Sequence, residues 1–356
     1  MDQLELMLTE LTEAVGISGH EDDVSRVMEK HLAGLGHISH DRLGSLICKK
    51  SGKQNGPSIM LAAHMDEVGF MVKQITKEGF IKFLPIGGWW GHVALAQRVI
   101  LRTSKGDFEG IIGSKPPHEL QEEEKKKVLD FKDMFIDAGA SGNFNVRSRL
   151  GVKPGDPVVP FSPFTIMGNK RLYMAKAWDD RMGCAVIVEV FRRLKKARHP
   201  NVVYGVGTVQ EEVGLRGAQT SVAAVKPDVG FALDVSISHD TPGSAEPREE
   251  KLGAGVAIVV YDGSMIPNAK LRDLVVDIAE TKRIPHHFAY VERGGTDCGK
   301  IHLHDRGVPS LTLGVPTRYI HSHTAIVDRK DLEALIRLVT EVVKRLDSKT
   351  VKTLTR

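Results

Sequence analysis

Four short, largely apolar runs constrain this chain more than anything else in it: Ser58–Ala63, Val202–Val209, Val229–Leu233 and Ser310–Leu313. Runs this brief and this continuous read as strands buried on both faces of a sheet. Between and around them the apolar residues change period. Cys184, Ile187, Val188, Phe191 and Leu194 make one stripe, and Leu271, Leu274, Val275 and Ile278 make a second. Leu332, Leu335, Ile336, Val339, Val342, Val343 and Leu346 make the cleanest, with Asp328 as its candidate N-cap. Leu4, Leu8, Leu11 and Val15 predict an opening helix, with Gly16 as its C-cap. These spacings are helical. Strands alternating with helices predict an α/β fold, a sheet with helices on both sides.

The stretch from about Gly69 to Ile166 breaks this pattern. It is rich in glycine, proline and short β-like runs, among them Phe70-Met71-Val72, Phe80-Ile81-Lys82-Phe83 and Arg98-Val99-Ile100-Leu101. A small β domain at residues 70–166, inserted into a discontinuous catalytic domain of residues 1–69 and 167–356, fits the shift. A chain of 356 residues is long enough for two such units. Its net charge of +4 is dispersed, which argues against a nucleic-acid surface. Cys48, Cys184 and Cys298 are odd in number, far apart and free of CxxC spacing, so no disulfide frame is expected. The first sixteen residues carry Asp2, Glu5, Glu10 and Glu13, unlike a signal peptide, and no apolar run is long enough for a bilayer. The expectation is a cytoplasmic protein with no membrane partner.

Each apolar run leads into residues of the metal-ligand type. His64-Met65-Asp66-Glu67 follows the first, Glu211-Glu212 the second and Asp234 the third, while His321 comes soon after the fourth and its Pro316 turn. Asp179-Asp180 precedes a helix. In open α/β sheets the carboxyl ends of strands line the ligand crevice, so residues this distant in sequence can converge there. Taken singly, each is as well explained as a turn or cap residue. Two adjacent glutamates at the end of a buried strand are harder to dismiss. Burying both costs several kcal/mol, on the order of any unpaired ion, unless a cation neutralises them. Imidazole and carboxylate without thiolate suit Zn²⁺, Co²⁺ or Mn²⁺. Spacing alone thus points to a metal hydrolase and leaves its substrate open.

Longer motifs carry a resemblance. Ala63-His64-Met65-Asp66-Glu67-Val68-Gly69, Lys176-Ala177-Trp178-Asp179-Asp180-Arg181-Met182-Gly183, Thr208-Val209-Gln210-Glu211-Glu212-Val213-Gly214 and Arg318-Tyr319-Ile320-His321 resemble the glutamyl-aminopeptidase and tetrahedral-aminopeptidase family, some of whose members carry an endoglucanase label. Gly87-Gly88-Trp89-Trp90, Ile112-Gly113-Ser114-Lys115-Pro116-Pro117 and Gly294-Gly295-Thr296-Asp297 extend the likeness over nearly the whole chain. The resemblance implies a zinc-exopeptidase-like mixed sheet flanked by helices, with a PDZ-like inserted domain. It implies two divalent ions per subunit, zinc or cobalt first and manganese third. Asp179 would bridge them, with His64 and Glu212 completing one site and Asp234 and His321 the other. Glu211 would be the general base, and Asp66 would orient the His64 imidazole. The motif places the ligand at His321 rather than His323, and at Asp179 rather than Asp180. Peptides would be the substrates, and dimers would assemble into a hollow tetrahedral dodecamer, with Trp89-Trp90 either at an interface or in a core. A glycoside hydrolase using Glu211 would leave both histidines unexplained, and a non-catalytic scaffold would not need the full ligand set.

Overall fold

The buried runs lie side by side. Ser58–His64 sits between Val202–Thr208 and Val229–Ile237 and runs parallel to both, and Ser310–Arg318 continues the parallel set beyond Val229–Ile237. The computed structural model describes residues 1–52, 56–141, 144–244 and 249–355. Among them an eleven-stranded sheet extends outward from this parallel centre, with antiparallel strands such as Leu46–Ser51 and Ala325–Asp328 toward its edges. The sheet is therefore mixed. Alternation along Ser58–His64 explains why it is apolar throughout. Ile59, Leu61 and Ala63 point into one core, shared with the helices Trp178–Lys195 and Arg329–Arg345. Met60 and Ala62 point into another, closed by the helix Arg216–Val225 through Ala218, Val222 and Val225.

Helix and strand boundaries depart from the sequence reading for local reasons. The first helix, Gln3–Glu13, ends before Gly16. Gly16 is no cap: its carbonyl accepts the Glu67 N–H at 2.9 Å. Asp328 does cap Arg329–Arg345, accepting the Lys330 N–H at 2.8 Å. Pro316 is not a turn but lies inside Ser310–Arg318, opposite Ser236. It falls between the pairing of Gly314 with Ala257 and that of Thr317 with Val327, where its missing N–H disrupts no second ladder.

Six strands between residues 69 and 160 close into a separate barrel: Gly69–Ile75, Ile81–Ile86, Phe135–Asp137, Gly106–Gly113, Arg98–Thr103 and Pro157–Pro160. Phe70, Phe83, Leu101, Ile136 and Val158 fill it. The two tryptophans divide their work. Trp89 stacks on Phe70 with ring centroids 4.6 Å apart, whereas Trp90 is 61% exposed. The three cysteines are free and buried. Among the described residues, no helix is long and apolar enough to cross a membrane.

Candidate metal centre

The parallel strands deliver the ligand-type residues to one end of the sheet. His64 is the last residue of its strand and lies opposite Thr208. Glu211 and Glu212 follow Thr208 around a turn in which Gln210 has φ of 55°. Asp234 is on the next strand, opposite Gly314, and His321 follows the end of Ser310–Arg318 with φ of 54°. Asp179 and Asp180 come from the start of Trp178–Lys195, where both leave helical geometry.

Asp179 stands at the middle of this group. Its Oδ1 is 2.9 Å from His64 Nε2, and its Oδ2 is 3.4 Å from His321 Nε2. Glu212 Oε2 is 3.5 Å from the same His321 nitrogen, and Glu211 Oε2 is 4.0 Å from His64 Nε2. Ligand atoms of His64, Asp179 and Glu212 lie within 4.8 Å of one another, and so do those of His64, Asp180 and Asp234. His323 turns away and bonds the Phe161 carbonyl at 3.1 Å. The oxygens of Asp180 accept the Gly183 N–H at 2.9 Å and the His64 N–H at 3.2 Å.

The orientation of His64 comes from an unexpected atom. Its Nδ1 lies 2.9 Å from the backbone carbonyl of Asp66 and 3.7 Å from the carboxylate. A carbonyl can only accept, so Nδ1 carries the hydrogen and the Nε2 lone pair faces Asp179. Two lone pairs 2.9 Å apart repel unless a proton or a cation lies between them. The Asp66 carboxylate instead accepts the backbone N–H groups of Glu211 at 2.9 Å and Glu212 at 3.1 Å.

The electrostatics ask for cations. Burial pushes Glu212 up to about 8, Asp234 up to about 7 and Asp297 up to about 6, with Asp179 adding to the first two. Burial likewise raises Glu211 and Asp180 well above the carboxylate range. Burial opposes charge on His64, yet Glu211, Asp179 and Asp66 outweigh it and raise that imidazole. His321, similarly opposed by burial, is lifted to about 9 by Asp179 and Glu212. No lysine or arginine among the described residues pairs with Asp179, Glu211, Glu212 or Asp234; the nearby Lys176 and Arg181 are taken by Glu67. Glu212 Oε1 is buried without a partner. A set of carboxylates and imidazoles with surplus negative charge and an orphaned oxygen fits divalent ions.

The barrel completes one wall. A methyl group on Gly88 would sit 2.9 Å from His321 Nδ1, and one on Gly87 would sit 3.1 Å from Glu212 Oε2. Beyond this contact a cleft of about 900 Å³ runs between Trp89, Trp90 and His92 of the inserted unit and the Tyr319–Thr324 loop. The glycine pair stands out in the sequence, but its contact with Glu212 and His321 depends on how the barrel docks.

Comparison with known proteins follows the same lines. The family model described as M42 glutamyl aminopeptidase matches residues 44–338. The chain belongs to the M42 family. Within it, the glutamyl aminopeptidase of Lactococcus lactis is 35% identical over 96% of this chain and 96% of its own length. Among solved structures, the TET aminopeptidase of a marine sediment thaumarchaeon superposes with a TM-score of 0.95 at 45% identity, covering 99% of this chain and 100% of that one. The Pyrococcus horikoshii TET1 peptidase, described as able to assemble into a tetrahedron or a large octahedral shell, superposes with a TM-score of 0.85 at 30% identity over 97% and 100%. M42 peptidases are metal-dependent, and this member is an aminopeptidase, a hydrolase acting at peptide N-termini.

Proposed function

We propose that the chain removes N-terminal residues from peptides with two divalent ions in this centre and Glu211 as the base. The observation that carries the reading is the division of Asp179, whose two oxygens face different histidines. One ion is assigned to His64, Asp179 and Asp234, the other to Asp179, Glu212 and His321. The closeness of Glu212 to His321 supports this partition, while the pairing expected from sequence, Glu212 with His64, has its own support in the ligand atoms of His64, Asp179 and Glu212, which lie within 4.8 Å of one another. The imidazole and carboxylate donors favour zinc or cobalt, then manganese.

Bound there, the ions would supply an acidified water and polarise the scissile carbonyl. The chain does the rest. Glu211 sits beside His64, placed to take the water's proton and return it to the leaving amine. Asp66 holds the Glu211–Glu212 turn through its carboxylate and the His64 ring through its carbonyl. The surplus of buried carboxylates suits a substrate whose nearest charge is an ammonium, as at a peptide N-terminus. A homo-oligomer of dimers, assembled into a tetrahedral dodecamer, is supported by the likeness to the P. horikoshii peptidase. A cytoplasmic setting agrees with three unpaired thiols.

The test is Glu211→Gln. It should keep both ions by elemental analysis and lose at least about a thousandfold in kcat, as removal of a general acid–base does. Retained turnover would remove Glu211 from the mechanism.

A further inference from the structure

The segment Gly16-Ile17-Ser18-Gly19-His20-Glu21, between the first helix and a second at Asp22–Leu32, holds none of the proposed ligands, and only its Gly16 carries a sequence signal, that of a helix cap. It nevertheless runs directly beneath the site. Ile17 bridges to Glu67, and the Gly16 carbonyl accepts both the Glu67 N–H at 2.9 Å and Arg181 Nη2 at 3.1 Å, which pins the segment beside the end of the His64 strand.

Three successive backbone amides of the catalytic turn then trace back to it. The Gln210 N–H donates to Glu21 Oε1 at 3.0 Å, and the same oxygen takes the Gly19 N–H at 2.8 Å. The Glu211 and Glu212 N–H groups donate to the two oxygens of Asp66. Asp66 is in turn held by the Ser18 hydroxyl, 2.6 Å from its Oδ2. Ser18, Glu21 and Asp66 are all buried. Gln210 sits at a φ of 55°, a conformation unfavourable for a residue with a side chain, so the turn needs outside support.

We propose that Ser18 and Glu21 are positioning residues for the reaction: together they clamp residues 210–212 and so fix where the Glu211 carboxylate meets its proton. The inference rests on the reading of Glu211 as the base. Displacing a reacting group by about 1 Å can cost on the order of a hundredfold in rate. A looser clamp therefore lowers kcat while leaving the ligand set and substrate binding in place.

The experiment uses the metal-loaded full chain. Ser18→Ala removes the hydroxyl that holds Asp66, and Glu21→Leu removes the acceptor for Gln210. Ser18→Thr and Glu21→Gln restore a hydroxyl and an acceptor oxygen. Metal content, melting temperature, and kcat and KM on a panel of N-terminal peptides are measured for all four. The expected result is full metal content, KM within about twofold, and a kcat loss of about tenfold or more in Ser18→Ala and Glu21→Leu, with most of it recovered in the conservative pair. Undiminished kcat in Ser18→Ala or Glu21→Leu overturns the proposal. So does a loss that follows melting temperature equally across all four, or a loss explained wholly by missing metal. If Ser18→Ala does not fold, the Glu21 pair decides alone. Failure of the underlying reading looks different: Glu211→Gln then turns over like the parent, whatever the clamp variants do.

Discussion

The contact between the barrel and His321 can be broken with one methyl group. Gly88 has no left-handed φ, so alanine is allowed there by the backbone, and the only effect is steric. The new Cβ would lie 2.9 Å from His321 Nδ1 and 3.3 Å from Cε1. Ordinary contact needs roughly 3.5 Å, so the ring must retreat by about half an ångström. It has room to do so, because its side chain is 41% exposed on the cleft side. Retreat takes Nε2 away from Asp179 and Glu212, at 3.4 and 3.5 Å now. If 1 Å costs about a hundredfold, half of that costs about tenfold, or about 1.4 kcal/mol of transition-state stabilisation. Gly88→Ala should therefore fold with a melting temperature near the parent's, bind the ion on the His321 side more weakly in a metal titration, and show kcat/KM about tenfold lower. Gly87→Ala is the less clean change, since φ of 78° adds backbone strain to a contact of 2.7 Å with Val68. A Gly88→Ala protein with two tightly bound ions and kcat/KM within twofold of the parent would refute the idea that the barrel shapes the ligand set.

Asp179→Ala should lose at least one ion per subunit, and full metal content by elemental analysis would take away its central role. Asp240 is held down to about 2, chiefly by its hydrogen bonds with Arg318, at 2.7 and 2.6 Å. Its folded value is below the unfolded one, so it adds stability above about pH 4 that fades as pH falls toward 2. Asp240→Asn should accordingly lose less stability than the parent between pH 4 and 2, as followed by chemical denaturation. An identical pH dependence in the two proteins would mean that the Arg318 pair contributes nothing.

How much of this could be read from the chain depends on whether a feature is local. The central strands were legible because burial on both faces forces a continuous apolar run, as in Ser58–Ala63. Two of their ends were legible because His64 and Glu211 interrupt those runs with groups that cannot be buried alone, whereas Asp234 lies inside Val229–Ile237, which pairs with Ser310–Arg318 for three residues beyond it. The inserted β unit showed itself through composition, but its closure into a barrel depends on pairings such as Phe70 with Val158, far apart in sequence. That His321 rather than His323 faces Asp179 follows from a contact distant in sequence, the bond of His323 to the Phe161 carbonyl. Asp66 was expected to steady an imidazole with its carboxylate. That carboxylate lies 2.9 Å from the Glu211 amide, a backbone contact that leaves no trace in residue type. Ser18 and Glu21 escaped notice for the same reason. Pro316 misled because a proline marks a strand's end only where both neighbours need its hydrogen.

The order of the strands has a bearing on how the enzyme is born. Ser58–His64 finds its two neighbours in Val202–Thr208 and Val229–Ile237, so as the chain leaves the ribosome its earliest central strand has no lateral partner until well over a hundred residues later. The barrel draws all its strands from residues 69–160 and can close while that strand is still waiting. His321 emerges later still. The proposed donor set is therefore complete only near the end of synthesis, when the glycine pair beside the barrel meets the last histidine.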